Sequence, residues 1–155
     1  MTVDFNLKRN MESLFAYSYL LAWGFCSLQE YNAYLDKMFL ETPDNEVLLD
    51  LEECSNSYKD TFARLKRYFE YETDNFDKEQ FGKTLLNGLE SVYHSNVYSI
   101  AAFTRKCYEL YTMLPECLKY ENPFWFLDYA DEPLSWGDEK YSRVLCEKAF
   151  GFYRE

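Results

Sequence analysis

The sequence predicts an all-α protein: a single compact multi-helix bundle of about six or seven helices, spanning residues 1–155 as a single helical domain, with an irregular aromatic and proline-rich segment before the last helix. Three observations predict it. Apolar residues recur at steps of three and four through most of the chain, the repeat of a helix that buries one face. Several of these runs open on Ser, Thr, Asp or Asn, whose side-chain oxygens cap the free N–H groups of a first turn. Only 5 Gly and 4 Pro occur and no run alternates over many residues, which argues against a turn-rich β architecture. The rings of 13 Phe, 15 Tyr and 3 Trp supply the core, and rule out a disordered chain, which would be poor in aromatics.

The first helix carries Leu7, Met11, Leu14, Phe15, Ser18 or Tyr19, then Leu21 and Ala22. It is apolar around much of its circumference, so a central position is expected, with Gly24 as terminator. Ser27-Leu-Gln-Glu30 is a capping box that opens a second helix with Leu28, Tyr31, Leu35, Met38 and Phe39 inward. Thr42-Pro43 reads as an N-cap with proline at the first helical position. Val47, Leu48, Leu51 and Cys54 form that third stripe, with Asp44 and Glu46 in its first turn. After Ser55-Asn-Ser57, Tyr58, Phe62, Leu65, Tyr68 and Phe69 point one way and Lys59, Arg64, Lys66 and Arg67 mostly another. An acidic loop, 70–76, leads to Asp77 and Gln80, a further capping pair, and to a fifth stripe of Phe81, Leu85, Leu89, Val92 and Tyr93. Ser95 or Asn96 is expected to cap a sixth helix bearing Val97, Ile100, Ala101, Thr104, Cys107 and Leu110 or Tyr111, which Pro115 ends. Residues 115–137 hold three of the 4 prolines and two of the 3 tryptophans, so irregular structure is expected there, with a short helical turn after Asn122-Pro123. Ser135 to Asp138 offers a cap for the last helix, with Tyr141, Val144 or Leu145, Lys148 or Ala149, and Phe152 inward.

Charge narrows the function. Lys+Arg is 16 against Asp+Glu 27, a formal net charge of -11. Binders of nucleic acid neutralise phosphates with basic faces, so no direct nucleic-acid contact is expected, and anionic membranes are disfavoured for the same reason. A basic protein partner would be attracted. The 5 cysteines, Cys26, Cys54, Cys107, Cys117 and Cys146, are odd in number and form no CxxC pair, which favours free thiols in a reducing cytoplasm. The uncharged run 13–29 is too polar for a membrane span, and Glu12 interrupts the signal-peptide pattern that Lys8 and Arg9 suggest. The expected location is cytoplasmic.

Catalytic chemistry finds little to work with. His94 is the only histidine, so two-His metal motifs are excluded, and Ser91 stands where a Glu-x-x-His pair needs its carboxylate. The five glycines, at 24, 82, 88, 137 and 151, build no phosphate loop, and no GxSxG elbow occurs. No catalytic, cofactor-binding or metal residue is assigned, and no enzyme activity or cofactor is expected.

Two acidic clusters are more informative. Glu46, Asp50 and Glu53 recur on one side of the third helix, where like charges at that spacing cost ~0.2–0.5 kcal/mol per pair and a basic partner would relieve them. Asp128, Asp131, Glu132, Asp138 and Glu139 are interleaved with Trp125, Phe126, Tyr129 and Trp136, a pattern of aromatic anchors in a charged rim. The residues assigned to partner binding are Asp128, Asp131, Glu132, Trp136, Asp138 and Glu139, then Glu46, Asp50 and Glu53.

The segment 123–141, Pro-Phe-Trp-Phe-Leu-Asp-Tyr-Ala-Asp-Glu-Pro-Leu-Ser-Trp-Gly-Asp-Glu-Lys-Tyr, runs into a closing amphipathic helix, and Leu20-Leu-Ala-Trp-Gly-Phe25 precedes a capped one. In these two stretches the chain resembles bacterial polymorphic-toxin immunity proteins, which are similar in size, acidity and helical content. The resemblance implies a cytoplasmic protein that binds and neutralises a cognate basic toxin domain, often a nuclease, and it transfers no functional residue to a numbered position. Two alternatives belong to other classes: a small helical enzyme or ligand-binding protein with an aromatic pocket, marked by His94 beside Glu90 or a cysteine, and a phage-type inhibitor that mimics nucleic acid.

Overall fold

The computed structural model describes residues 2–70 and 76–154, with side chains from 11–69 and 76–154. All regular structure among these residues is helical. The elements are α1 (Thr2–Ala22), α2 (Leu28–Glu41), α3 (Glu46–Glu53), α4 (Tyr58–Glu70), α5 (Lys78–Ser95), α6 (Ile100–Thr112), α7 (Glu116–Lys119), α8 (Trp125–Tyr129), a 3₁₀ turn (Glu132–Trp136) and α9 (Glu139–Gly151). That is nine α-helices among the described residues, not six or seven; the two additional ones, α7 and α8, lie in the stretch expected to be irregular. Prolines set the starts there: Pro115 precedes α7, and Pro133 occupies the first turn of the 3₁₀ segment, where a missing N–H costs nothing. Leu7 and most of the acidic loop after α4 lie outside the described side chains. No described helix is long and apolar enough to cross a membrane.

The chain divides into two compact units, Met1–Leu85 and Leu86–Glu155, with the division inside α5. In the first unit α1 packs against α2 and α4, and α2 against α3. From Met11 to Leu21 every residue of α1 except Tyr17 is buried, which is the central position its all-round apolarity predicts. Phe15 is the hub: its ring stacks on Phe69 at 4.6 Å and meets Phe81 at 5.6 Å and Phe76 at 6.3 Å. Buried Glu12 accepts the Asp77 N–H at 2.8 Å, while Ser13 receives Gln80 Nε2 at 2.5 Å and Thr84 Oγ1 at 3.0 Å, so polar groups of α1 hold the start of α5.

In the second unit α6 packs on α8 and α9, and α9 on α8 and the 3₁₀ turn. Phe103, Phe150 and Tyr93 form its ring cluster, with Tyr93 at 5.6 Å from Phe103 and 5.3 Å from Phe150. Tyr111 donates its hydroxyl to the Lys119 carbonyl, tying α6 to the end of α7.

Several caps stand as expected. Ser27 accepts from Glu30 N at 3.1 Å, Asp77 from Gln80 N at 3.0 Å and Asp138 from Tyr141 N at 3.0 Å, and Gly24 takes φ 78° after α1. Others move. Thr42 ends α2 rather than starting α3: its hydroxyl donates to the Met38 carbonyl at 3.1 Å, and Asn45 caps α3 by accepting from Leu48 N at 3.0 Å. Asp44 therefore precedes α3, and only Glu46 lies in its first turn. Ser95 is the last residue of α5 and Asn96 adopts φ 58°, a left-handed geometry asparagine tolerates. The cap of α6 is Ser99, accepting from Ala102 N at 3.1 Å, and Val97 is left exposed.

Two stripes also shift. In α4 the inward residues are Thr61, Leu65 and Phe69, with Tyr58 exposed. In α9 they are Ser142, Leu145, Cys146, Ala149 and Phe150, while Tyr141, Val144 and Phe152 face solvent. Small side chains at Ser142, Cys146 and Ala149 let the backbone approach its neighbours, and the larger groups one position away stay outside.

Candidate functional site

The acidic and aromatic residues of the second unit are positioned by its shortest elements. Phe124 and Leu127 are buried and fix α8, which turns Asp128 and Tyr129 outward. Buried Ala130 and Pro133 then pin the chain on either side of Asp131 and Glu132. Gly137 closes the 3₁₀ turn at φ 79°, and its N–H bonds to the Leu134 carbonyl at 3.1 Å. Trp136, just before that reversal, is left 61% exposed. An indole of that exposure adds nothing to the core and leaves a large apolar surface free for contact.

Asp128 and Asp131 are brought close. Partial burial, then the Asp131 charge, pushes the Asp128 carboxyl above the usual carboxylate range. No lysine or arginine among the described residues pairs with Asp128, Asp131 or Glu132. Asp138 and Glu139 have internal work: Asp138 caps α9, and Glu139 accepts from Arg143 Nε at 3.1 Å. Arg143 also donates to Tyr93 at 3.3 Å, so Glu139 belongs to a short network on the side of α9.

Two tyrosines extend this surface: Tyr129, already named from the sequence among its aromatics, and Tyr120, which sequence reasoning missed. Tyr120 is 82% exposed and Tyr129 is 43% exposed, the latter edge-on to Trp125 at 4.8 Å. Burial raises the Tyr111 hydroxyl, and Asp128, Tyr120 and Tyr129 all add to that shift, which places them around it. The turn residues between α7 and α8 carry no helical repeat, so no periodicity marks Tyr120.

Glu46, Asp50 and Glu53 belong to the first unit, on α3. Glu46 and Asp50 line an open cleft of ≈ 830 Å³ between α3 and α4; Glu53 does not. Across from them on α4 stand Asp60, Ala63, Arg64 and Arg67, spaced to share one face. Arg64 pairs with Asp50, and that hydrogen bond holds the guanidinium more firmly protonated. Nearby, Glu52 has its carboxyl raised by burial and then by Asp36 on α2. Of the basic residues of α4, Arg64 meets an acid of the same unit, and Lys66 lies over the Phe62 ring at 5.9 Å.

His94 sits exposed at the end of α5, 3.6 Å from Glu90, which also pairs with Arg154. All five cysteines are free thiols. Burial pushes Cys26 and Cys146 up to about 12 and Cys107 well above its ordinary value, so these three are held as thiols and not as nucleophilic thiolates at neutral pH. No group of three or more His, Cys, Asp or Glu side chains among the described residues is placed to hold a metal ion. Compared with known proteins, the chain matches no family model, no curated protein and no solved structure.

Proposed function

We propose that this chain is a toxin-neutralising immunity protein of the bacterial cytoplasm, a binding protein and not an enzyme, that docks on a basic toxin domain and occludes its substrate cleft. The observation that carries the reading is Trp136, an exposed indole on the same α8–3₁₀ segment as Asp128, Asp131 and Glu132, three carboxylates with no cation of this chain paired to them among the described residues. A basic nuclease cleft is shaped to receive phosphates, and carboxylates arranged on a rigid turn can take their place. Opposite charge steers the encounter, and desolvated aromatics slow release.

The test titrates calorimetrically a basic toxin-like domain sought in the reading frame next to this chain's own. Trp136→Ala is expected to weaken binding by about 30-fold, the loss of one hot-spot residue worth about 2 kcal/mol. Asp128→Lys, Asp131→Lys and Glu132→Lys together are expected to abolish salt-sensitive binding while leaving the melting temperature nearly unchanged. Wild-type affinity in the triple variant would remove the acidic-surface mechanism.

A further inference from the structure

The first unit holds a feature that the Trp136 surface does not use. α3 is packed on α2 and α4 on α1, and the cleft between α3 and α4 is left open. Its volume is ≈ 830 Å³, in a cleft that is open to solvent rather than enclosed. One wall carries Glu46, Val47 and Asp50; the other carries Asp60, Arg64 and Arg67.

Arg64 reaches across to Asp50, so the chain's own guanidinium shows which group the α3 wall accepts. Both side chains of the pair are about half exposed, at 44% and 48%, which keeps the pair open to exchange. Once Arg64 leaves, Glu46, Asp50 and Asp60 line the cleft with Arg67 as the one remaining basic group among its lining residues. The cleft is then acidic, the same sign as the whole chain. Val47, half-buried at its edge, offers apolar contact beside the carboxylates.

We infer that the α3–α4 cleft is a second docking site for the basic protein partner: an arginine- or lysine-bearing segment enters it, its cation replaces Arg64 on Asp50, and its apolar side chains cover Val47. This rests on the reading of the chain as a binder of a basic protein. Arg64 is a placeholder that keeps Asp50 satisfied until the partner arrives, and it sets a threshold the partner's cation must exceed.

The probe is a synthetic helical peptide with Arg and Leu on one face, added to the ¹⁵N-labelled full chain and followed by amide shifts. Expected are shifts concentrated at 46–51 and 60–68, none with the same peptide carrying Glu for Arg, and about a tenfold loss of affinity in Asp50→Asn. Arg64→Gln is expected to tighten binding by about threefold, because Asp50 is vacated; a merely structural Arg64 would not give that sign. Both substituted side chains are half exposed, and circular dichroism verifies the fold of each variant. Shifts confined to other residues, equal binding of the Glu peptide, or unchanged or weaker binding in Arg64→Gln would overturn the site. Loss of toxin binding in the triple lysine variant with no effect of the cleft variants keeps the Trp136 surface and rejects the cleft. Peptide binding at the cleft that survives in the triple lysine variant supports the cleft, whatever the toxin titration shows.

Discussion

Asp128 illustrates how one carboxylate at a partly buried position can work against the fold that presents it. Burial and the neighbouring Asp131 raise its carboxyl above the ordinary value of about 3.9. A carboxyl raised on folding binds its proton more tightly in the folded chain. Its penalty is therefore absent below the ordinary value and sets in as pH climbs through the raised one. Asp128→Asn should raise the melting temperature at pH 7 by about 1–2 °C, with the gain fading in melts near pH 3. A gain that persists at acid pH would put its cause in something other than charge. Glu52 beside Asp36 carries the same sign.

At the scale of elements, two glycines, Gly137 before α9 and Gly151 at its last residue, should respond oppositely to the same substitution. Gly137 stands at φ 79° with open space where a Cβ would go, so its cost is that of the backbone alone. Gly137→Ala is expected to destabilise by about 1 kcal/mol in urea denaturation, and Gly137→Asn to recover part of it. Gly151 lies in the helix with equally open space, and Gly151→Ala is expected to stabilise by about 0.5–1 kcal/mol. Elements were legible in the sequence wherever a cap and a stripe agreed, as at Ser27 and Asp77. They were misread where a capping residue had a competing use. Thr42 satisfies its hydroxyl on the preceding turn, and Asn96 serves the end of α5, so neither is available to begin the next helix. Candidate site residues were legible as composition, since Trp136 and the acids around it stand out in any reading. Their separation into unpaired Asp131 and Glu132, cap Asp138 and ion-paired Glu139 was not, because that depends on where α9 begins and which side chains it brings near.

The core of the first unit converges on one ring, and the charge of the whole molecule converges on one sign. Phe15 meets rings from α4, α5 and the segment before α5, so Phe15→Ala should cost about 3–5 kcal/mol, read as an early unfolding transition in urea. A loss below about 1 kcal/mol would mean that neighbouring rings close the cavity. The formal charge of -11 acts at longer range. It should make association with the proposed basic partner slow markedly between low salt and about 0.15 M, where screening acts within about 8 Å, as followed by stopped-flow tryptophan fluorescence.

Taken alone, the order of residues determined that the chain is helical, where most helices lie, and that its net charge is negative. Those properties follow from local repeats and from summed composition, which need no knowledge of distant neighbours. Tertiary structure decided which member of each apolar pair turns inward, that Trp136 and Tyr120 remain outside, and that Arg64 lies across a cleft on Asp50. Each of these depends on which side chains distant parts of the chain bring together, and that exists only once the helices have met.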